Sequence, residues 1–281
     1  MNLQELERAK AMKDRLNKVG SGFCLAKWDQ VTMHLHNGMT HSCHHPRPHQ
    51  VPLEELIDNP SALHNTKFKK EQRKMMLEGE RPPECDYCWN VEDANKDAFS
   101  DRIMKSGEAW AFPHFDSIKK LDYRENIQPT YVEISFSNQC NMACGYCDAK
   151  SSSRWQAEIN RYGHYPTSGM FNNIEWMERE GIVPIPHTKP NPYREAFWKW
   201  WPDLFPTLHT FRVTGGEPLL APDMFKVLDY IIEHPNTNPS LEMSVNTNLC
   251  PPQDRVEEFK NKIRYITDNN LLGNFTLFTS I

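Results

Sequence analysis

The rhythm of apolar positions changes near residue 130. In the first residues Leu3, Leu6, Met12 and Leu16 stand among charges, a spacing that predicts an amphipathic helix over residues 1–18, ended by Gly20 and Gly22. From Phe23 to Asn90 the chain is irregular and rich in His and Pro. "VTMHLHNGM" predicts a short strand there, and "PLEELIDN" and "KFKKEQRKMMLEG" predict two modest helices. The most basic window, Lys67 to Lys74, reads as a solvated helix face, and the segment has too few apolar residues for a core of its own. Residues 91–130 read as a connector containing a helix.

From Tyr131 onward strand and helix patterns alternate. "YVEISFS", "HTFRVTG", "LEMSVNT" and "NFTLFTSI" predict four strands, with "APDMFKVLDYIIEH" and "QDRVEEFKNKIRYI" as helices between the later ones. This alternation predicts an α/β fold with a parallel sheet, open or as part of a (β/α) barrel, whose site lies at the C-terminal strand ends. The long insertion between the first two strands carries Trp198, Trp200 and Trp201, which either line a substrate site or plug the end of the sheet. A barrel needs more strands than these four, so the pattern favours a core truncated at its C-terminus. The expected organisation is an N-terminal helix (1–22), a small irregular metal-binding domain (23–90), a connector (91–130) and an incomplete barrel (131–281).

Composition narrows the function classes. A net charge of −5 and the absence of long like-charge runs argue against nucleic-acid or anionic-membrane binding. No apolar run approaches the roughly 20 residues of a membrane span, and the N-terminus lacks an apolar signal core. The expectation is a cytoplasmic protein whose eight cysteines are mostly reduced, and seven of the eight fall into two clusters that suit metal better than disulfides. Cys250 stands alone and reads as a free thiol.

Cys140, Cys144 and Cys147 have the spacing CxxxCxxC at the exit of the first predicted strand. Zinc in a structural site takes four ligands, and a disulfide would leave one thiol over. Three thiolates suit a four-iron cluster with one iron left open. With Tyr146 just before the last cysteine, the loop resembles the cluster loop of the radical S-adenosylmethionine superfamily. At the end of the second strand Gly215, Gly216, Glu217 and Pro218 resemble the same family's GGEP motif. Paired glycines permit close backbone approach, and a carboxylate beside them can accept from an ammonium group.

The resemblance implies a catalytic [4Fe-4S] cluster on Cys140, Cys144 and Cys147, and S-adenosylmethionine held at Gly215, Gly216, Glu217 and Pro218. It further implies reductive cleavage of S-adenosylmethionine to a 5'-deoxyadenosyl radical that abstracts hydrogen from a substrate, a peptide being one candidate. An electron donor such as a flavodoxin or ferredoxin is implied as partner. By the family's pattern Asn246, Asn248 and Ser280 are candidate cofactor contacts; strand-end capping is the other reading.

Cys24, Cys43, Cys85 and Cys88 make a full set of four, suited to zinc or to a second four-iron cluster. Gly38, five residues before Cys43, completes a spacing that resembles the opening of SPASM and twitch domains, which carry auxiliary clusters. Those domains usually follow the barrel, whereas this one precedes it, and the later SPASM cysteines are absent. The nearby His41, His44, His45 and His49 read as a polar loop. Two rivals remain, a non-catalytic zinc protein and an iron–sulfur electron carrier; neither uses the GGEP residues or explains the missing fourth cysteine.

Overall fold

The computed structural model describes residues 2–166 and 172–280. The chain divides into two compact units, one of residues 1–32 and 40–131, the other of residues 33–39 and 132–281. The first contains helices α1 (Leu3–Asn17), α2 (Ala26–Asp29), α3 (Leu53–Leu56), α4 (Lys67–Leu77), α5 (Asp86–Ala94), α6 (Asp101–Ser106) and α7 (Phe115–Ile118). Its strands are β1 (Gln30–His34), β2 (Met39–His41) and β3 (His49–Gln50), in the order β3-β2-β1. The β1–β2 turn, residues 33–39, groups with the second unit.

Helix α1 begins at a capping box, in which Asn2 accepts from the Glu5 amide and Glu5 accepts from the Asn2 amide. Its Ala9, Met12 and Leu16 are buried, together with Phe23, Leu25 and Trp28 and with Ile103, Trp110 and Phe115. The segment 23–90 therefore obtains its core from the chain on both sides of it, and residues 1–22 and 91–131 fold into the same unit. Helix α4 departs from its expected role. Lys69, Gln72, Arg73 and Met76 recur at i, i+3, i+4 and i+7 and form a buried face. The basic window is thus only partly solvated, because Lys69 and Arg73 find acceptors inside the unit.

The second unit contains β4 (Tyr131–Ser135), α8 (Ser153–Tyr162), α9 (Ile174–Arg179), α10 (Pro192–Leu204), β5 (Thr210–Thr214), α11 (Pro222–Glu233), β6 (Glu242–Thr247), α12 (Gln253–Asp268) and β7 (Asn274–Thr279). The strands lie side by side in chain order, β4-β5-β6-β7. β5 and β6 run parallel with Phe211 opposite Met243, and β6 and β7 run parallel with Val245 opposite Leu277. Strands added in chain order form a barrel wall, whereas a doubly wound sheet reverses its order. The described strands form an open run of this kind.

Alternation along the strands gives the sheet two faces. Val132 and Ile134, Phe211 and Val213, and Met243 and Val245 are buried. The helices cover them with stripes such as Phe197, Trp200, Trp201 and Leu204 of α10 and Met224, Val227, Leu228 and Ile231 of α11. Trp201 packs 5.0 Å from Phe211, so it and Trp200 belong to the core. On the other face Arg212 lies 3.6 Å from Glu133 and donates to Asn246 at 3.2 Å, a polar row across three strands. Among the described residues no helix is long and apolar enough to cross a membrane.

Candidate functional site

The loop leaving β4 is held by the first turn of α8. The Ser153 hydroxyl accepts from the Cys140 amide at 3.0 Å and donates to the Cys140 carbonyl at 3.2 Å. Ser152 caps α8 and donates to the Met142 carbonyl at 2.8 Å, and the Trp155 indole N–H donates to the Cys144 carbonyl at 2.9 Å. These bonds engage the loop backbone, and all three thiols stay only partly buried. Burial raises the Cys147 thiol above its ordinary range, and Asp148, Cys140 and Cys144 add to that rise against the pull of the Asp148 backbone, which places the three thiols in one electrostatic neighbourhood. Tyr146 is 80% exposed.

The GGEP residues continue the alignment of β5 beside β4. The Gly216 amide donates to the Ser137 carbonyl at 3.2 Å and the Glu217 amide to the Gln139 carbonyl at 2.7 Å, one residue from Cys140. A Cβ on Gly215, which has φ +113°, would stand 2.3 Å from the Ser135 hydroxyl, and one on Gly216 would stand 2.4 Å from the Gln139 carbonyl. Both glycines are required by this close approach to the β4 exit, a reason internal to the chain. The Glu217 carboxylate is also engaged. It is buried, and it accepts from the Leu219 amide at 3.0 Å, the Thr247 hydroxyl at 2.6 Å and the Asn248 amide at 2.7 Å. Glu217 therefore fastens the end of β6 to the end of β5, and Pro218 starts the short turn that follows.

Asn248 closes the ring of strand ends. Its side-chain amide donates to Asn141 Oδ1 at 3.0 Å, and Asn141 in turn donates to the Cys250 carbonyl at 2.7 Å. The Ser280 amide donates to the Thr247 carbonyl at 3.1 Å, while Asn246 belongs to the polar row with Arg212. The exits of β4, β5 and β6 thus interlock around the three-cysteine loop. Asn141, Ser153 and Trp155 carry that arrangement and were not anticipated; a polar residue inside the cysteine spacing was the available signal.

Beside the same exits lies an open cleft of about 880 Å³, lined by Ser137 and Gln139, by Arg194, Trp198 and Lys199 of α10, and by Lys226 of α11, among others. Trp198 donates to Asp223 at 2.7 Å and has the Lys226 ammonium 3.9 Å from its ring. Of the three tryptophans, then, one lines a cleft and two build the core.

In the first unit Cys24, Cys43, Cys85 and Cys88 line one small pocket, joined by Lys27, Ser42 and His45. Burial raises all four thiols; Cys43, Cys88 and Cys85 add to the rise at Cys24, and Lys27 opposes it at Cys85, which reaches about 11. A metal centre would supply the positive charge that releases those protons. His45 donates to Asp101 at 2.7 Å and stacks on Tyr87 at 3.6 Å, while His49 meets the Thr66 hydroxyl at 2.9 Å. Among the described residues no three His, Cys, Asp or Glu side chains are gathered as around a single metal ion. A four-iron cluster places each thiolate on a different iron and takes a wider set of donors.

No family model and no solved structure matches the chain. GTP 3',8-cyclase of Campylobacter lari is 25% identical over 123 residues, 44% of this chain and 29% of that enzyme. The chain thus spans under a third of the length of this relative. The likeness is distant, and it is to a radical S-adenosylmethionine enzyme, which suggests that superfamily. The parallel sheet is compatible with a partial fold of that kind.

Proposed function

We propose that this chain carries the catalytic core of a radical S-adenosylmethionine enzyme, with Cys140, Cys144 and Cys147 holding a [4Fe-4S] cluster at the β4 exit. The observation that carries the reading is the interlock of two motifs far apart in sequence, through Gly216 to Ser137, Glu217 to Gln139 and Asn248 to Asn141. The donor set fits: three half-buried soft thiolates on one pinned loop leave a fourth coordination place for a ligand. Held there and reduced by an external donor, such a cluster would supply one electron to bound S-adenosylmethionine, giving methionine and a 5'-deoxyadenosyl radical.

The chain's own residues position and shield that chemistry. Ser153 and Trp155 fix the loop backbone that carries the thiols, which lowers the ordering that binding requires. Glu217 contributes by holding the β6 exit in place, so that the backbone of Gly215 and Gly216, and Asn248 and Ser280, border the cofactor site. Arg212, Glu133 and Asn246 offer a polar face on the sheet, and the cleft at Arg194, Trp198 and Lys226 is the proposed approach for substrate, with a peptide one of the classes to test. A flavodoxin or ferredoxin is the proposed electron donor. Cys24, Cys43, Cys85 and Cys88 are proposed to hold an auxiliary [4Fe-4S] cluster in a twitch-like domain; zinc is the alternative for a four-thiol set, and the spacing of the described thiols, not gathered as around one ion, speaks against it.

The test is anaerobic reconstitution, reduction with dithionite and addition of S-adenosylmethionine. Release of 5'-deoxyadenosine and methionine is expected, and its absence from a protein with intact clusters overturns the proposal.

A further inference from the structure

The first unit buries cations that its own carboxylates do not balance. Lys69 and Arg73 of α4 are 0% exposed and Lys27 of α2 is 2% exposed. Lys27 pairs with Glu84. Lys69 donates to His64 Nδ1 at 2.7 Å, and the other ring nitrogen of His64 donates to the Trp28 carbonyl at 2.6 Å, an arrangement that fixes a neutral imidazole. Arg73 donates to Asn65 at 2.9 Å and to the Lys27 carbonyl at 3.2 Å. These bonds engage both cations and leave the charge. The other buried carboxylate acting on Arg73 is Asp29, which is shared with His114.

A buried ion without a counter-charge is strongly disfavoured even after relaxation. The missing negative charge has an address in the same unit. Lys27 lines the pocket of Cys24, Cys43, Cys85 and Cys88, and Cys43 acts electrostatically on both Lys27 and Lys69. Four thiolates around Zn²⁺, or around an oxidised four-iron core, carry a net charge of about −2. Ser42 lines the pocket too, is buried, and its hydroxyl has no partner among the described residues. Lys27 and the Ser42 hydroxyl therefore line a pocket whose bound centre is an anion, Arg73 reaches it through the Lys27 carbonyl, and the charge on Lys69, which burial, Arg73 and Lys27 disfavour, is supported by negative charge at Cys43.

We propose that Lys27, Lys69, Arg73 and the Ser42 hydroxyl form a cationic cradle for the N-terminal four-cysteine centre and raise its reduction potential. The inference rests on the auxiliary-cluster reading. On taking one electron from an external reductant such as dithionite, the cluster with its four thiolates passes from a charge of about −2 to about −3. No proton or bond changes place. Positive charge and a hydrogen-bond donor stabilise the more negative state, so the cradle favours the reduced centre. Its members are positioning residues, acting through charge and hydrogen bonding.

The experiment is an EPR-monitored redox titration of the full chain carrying Cys140→Ala, Cys144→Ala and Cys147→Ala, so that the N-terminal centre alone is read, after iron and zinc are counted. Lys69→Met and Ser42→Ala are each expected to shift the one-electron equilibrium about tenfold toward the oxidised centre, 59 mV to lower potential. Ser42→Thr, which keeps the hydroxyl, is expected to restore the parent value. Ser42→Ala removes no charge and keeps the test open where Lys69→Met fails to fold. An iron count of about four with both potentials unmoved overturns the cradle and leaves the cluster standing. Zinc in place of iron in the parent overturns the cluster reading and the cradle with it.

Discussion

The two cysteine groups differ in how the surrounding chain treats them. Around Cys140, Cys144 and Cys147 the structure fixes backbone, through Ser152, Ser153 and Trp155, and leaves the thiols partly exposed at a ring of interlocked strand ends. Around Cys24, Cys43, Cys85 and Cys88, of which only Cys88 is buried, it gathers four thiols in one small pocket against the hydrophobic core and the buried Lys27. Three donors on a rigid, accessible loop suit a centre that must accept a further ligand. Four donors in a charge-compensated pocket suit one that does not. The lesson is that ligand number and environment agree at each site.

The largest effect expected to separate the two is on cofactor chemistry. Cys144→Ala should abolish 5'-deoxyadenosine release while leaving the thermal unfolding of the chain nearly unchanged, because the thiol is only partly buried. Removing the N-terminal centre should do the reverse to stability. Chelation of metal from the protein lacking the other three cysteines should lower the midpoint of the first unit's unfolding, followed by circular dichroism, since Lys27, Lys69 and Arg73 lose their counter-charge. Equal stability losses at the two sites would break the comparison.

Next in size are changes at the strand ends. Gly216→Ala drives a Cβ against backbone at the Gln139 carbonyl and should cost about 2–3 kcal/mol in urea unfolding, with weakened S-adenosylmethionine binding. A comparable pH-dependent effect is expected in the first unit. Burial raises Asp29 to about 6, with the neighbouring His114 pulling against it. A carboxyl whose folded pKa is raised holds its proton longer in the native state, so its contribution to stability is full below about pH 4 and lost as pH rises to about 6. Asp29→Asn should therefore gain on the parent by up to about 3 kcal/mol across that window, measured as the difference of two urea unfolding series. The smallest effect is Trp155→Phe, which removes the bond to the Cys144 carbonyl and should cost about 1 kcal/mol, seen as a severalfold loss of S-adenosylmethionine affinity.

Much of the C-terminal unit was legible in the sequence. Its four strands and the helices α11 and α12 follow period-two and period-3.6 patterns, which burial on one face imposes directly. The first unit was harder to read, because its core is assembled from Leu16, Phe23, Trp28, Ile103 and Phe115, residues spread over a hundred positions with no local period. Lys69 and Arg73 misled for a related reason. A charge at i and i+4 looks solvated unless its acceptors are known, and His64 and Asn65 are in another turn of the chain. At the candidate site the motifs were visible and their mutual fastening was not. Glu217 reads as a ligand group, and the sequence does not show that Thr247 and Asn248, thirty residues on, also donate to its oxygens.

The contrast between an open and a closed centre is tested most directly by EPR of the reduced protein with and without S-adenosylmethionine, in two variants of the full chain. With Cys24 and Cys85 changed to Ala, about four irons should remain and the signal should change on adding S-adenosylmethionine. With Cys140, Cys144 and Cys147 changed to Ala, about four irons should again remain and the signal should be indifferent to it. A response from the N-terminal centre, or silence from the three-cysteine centre, would contradict the account.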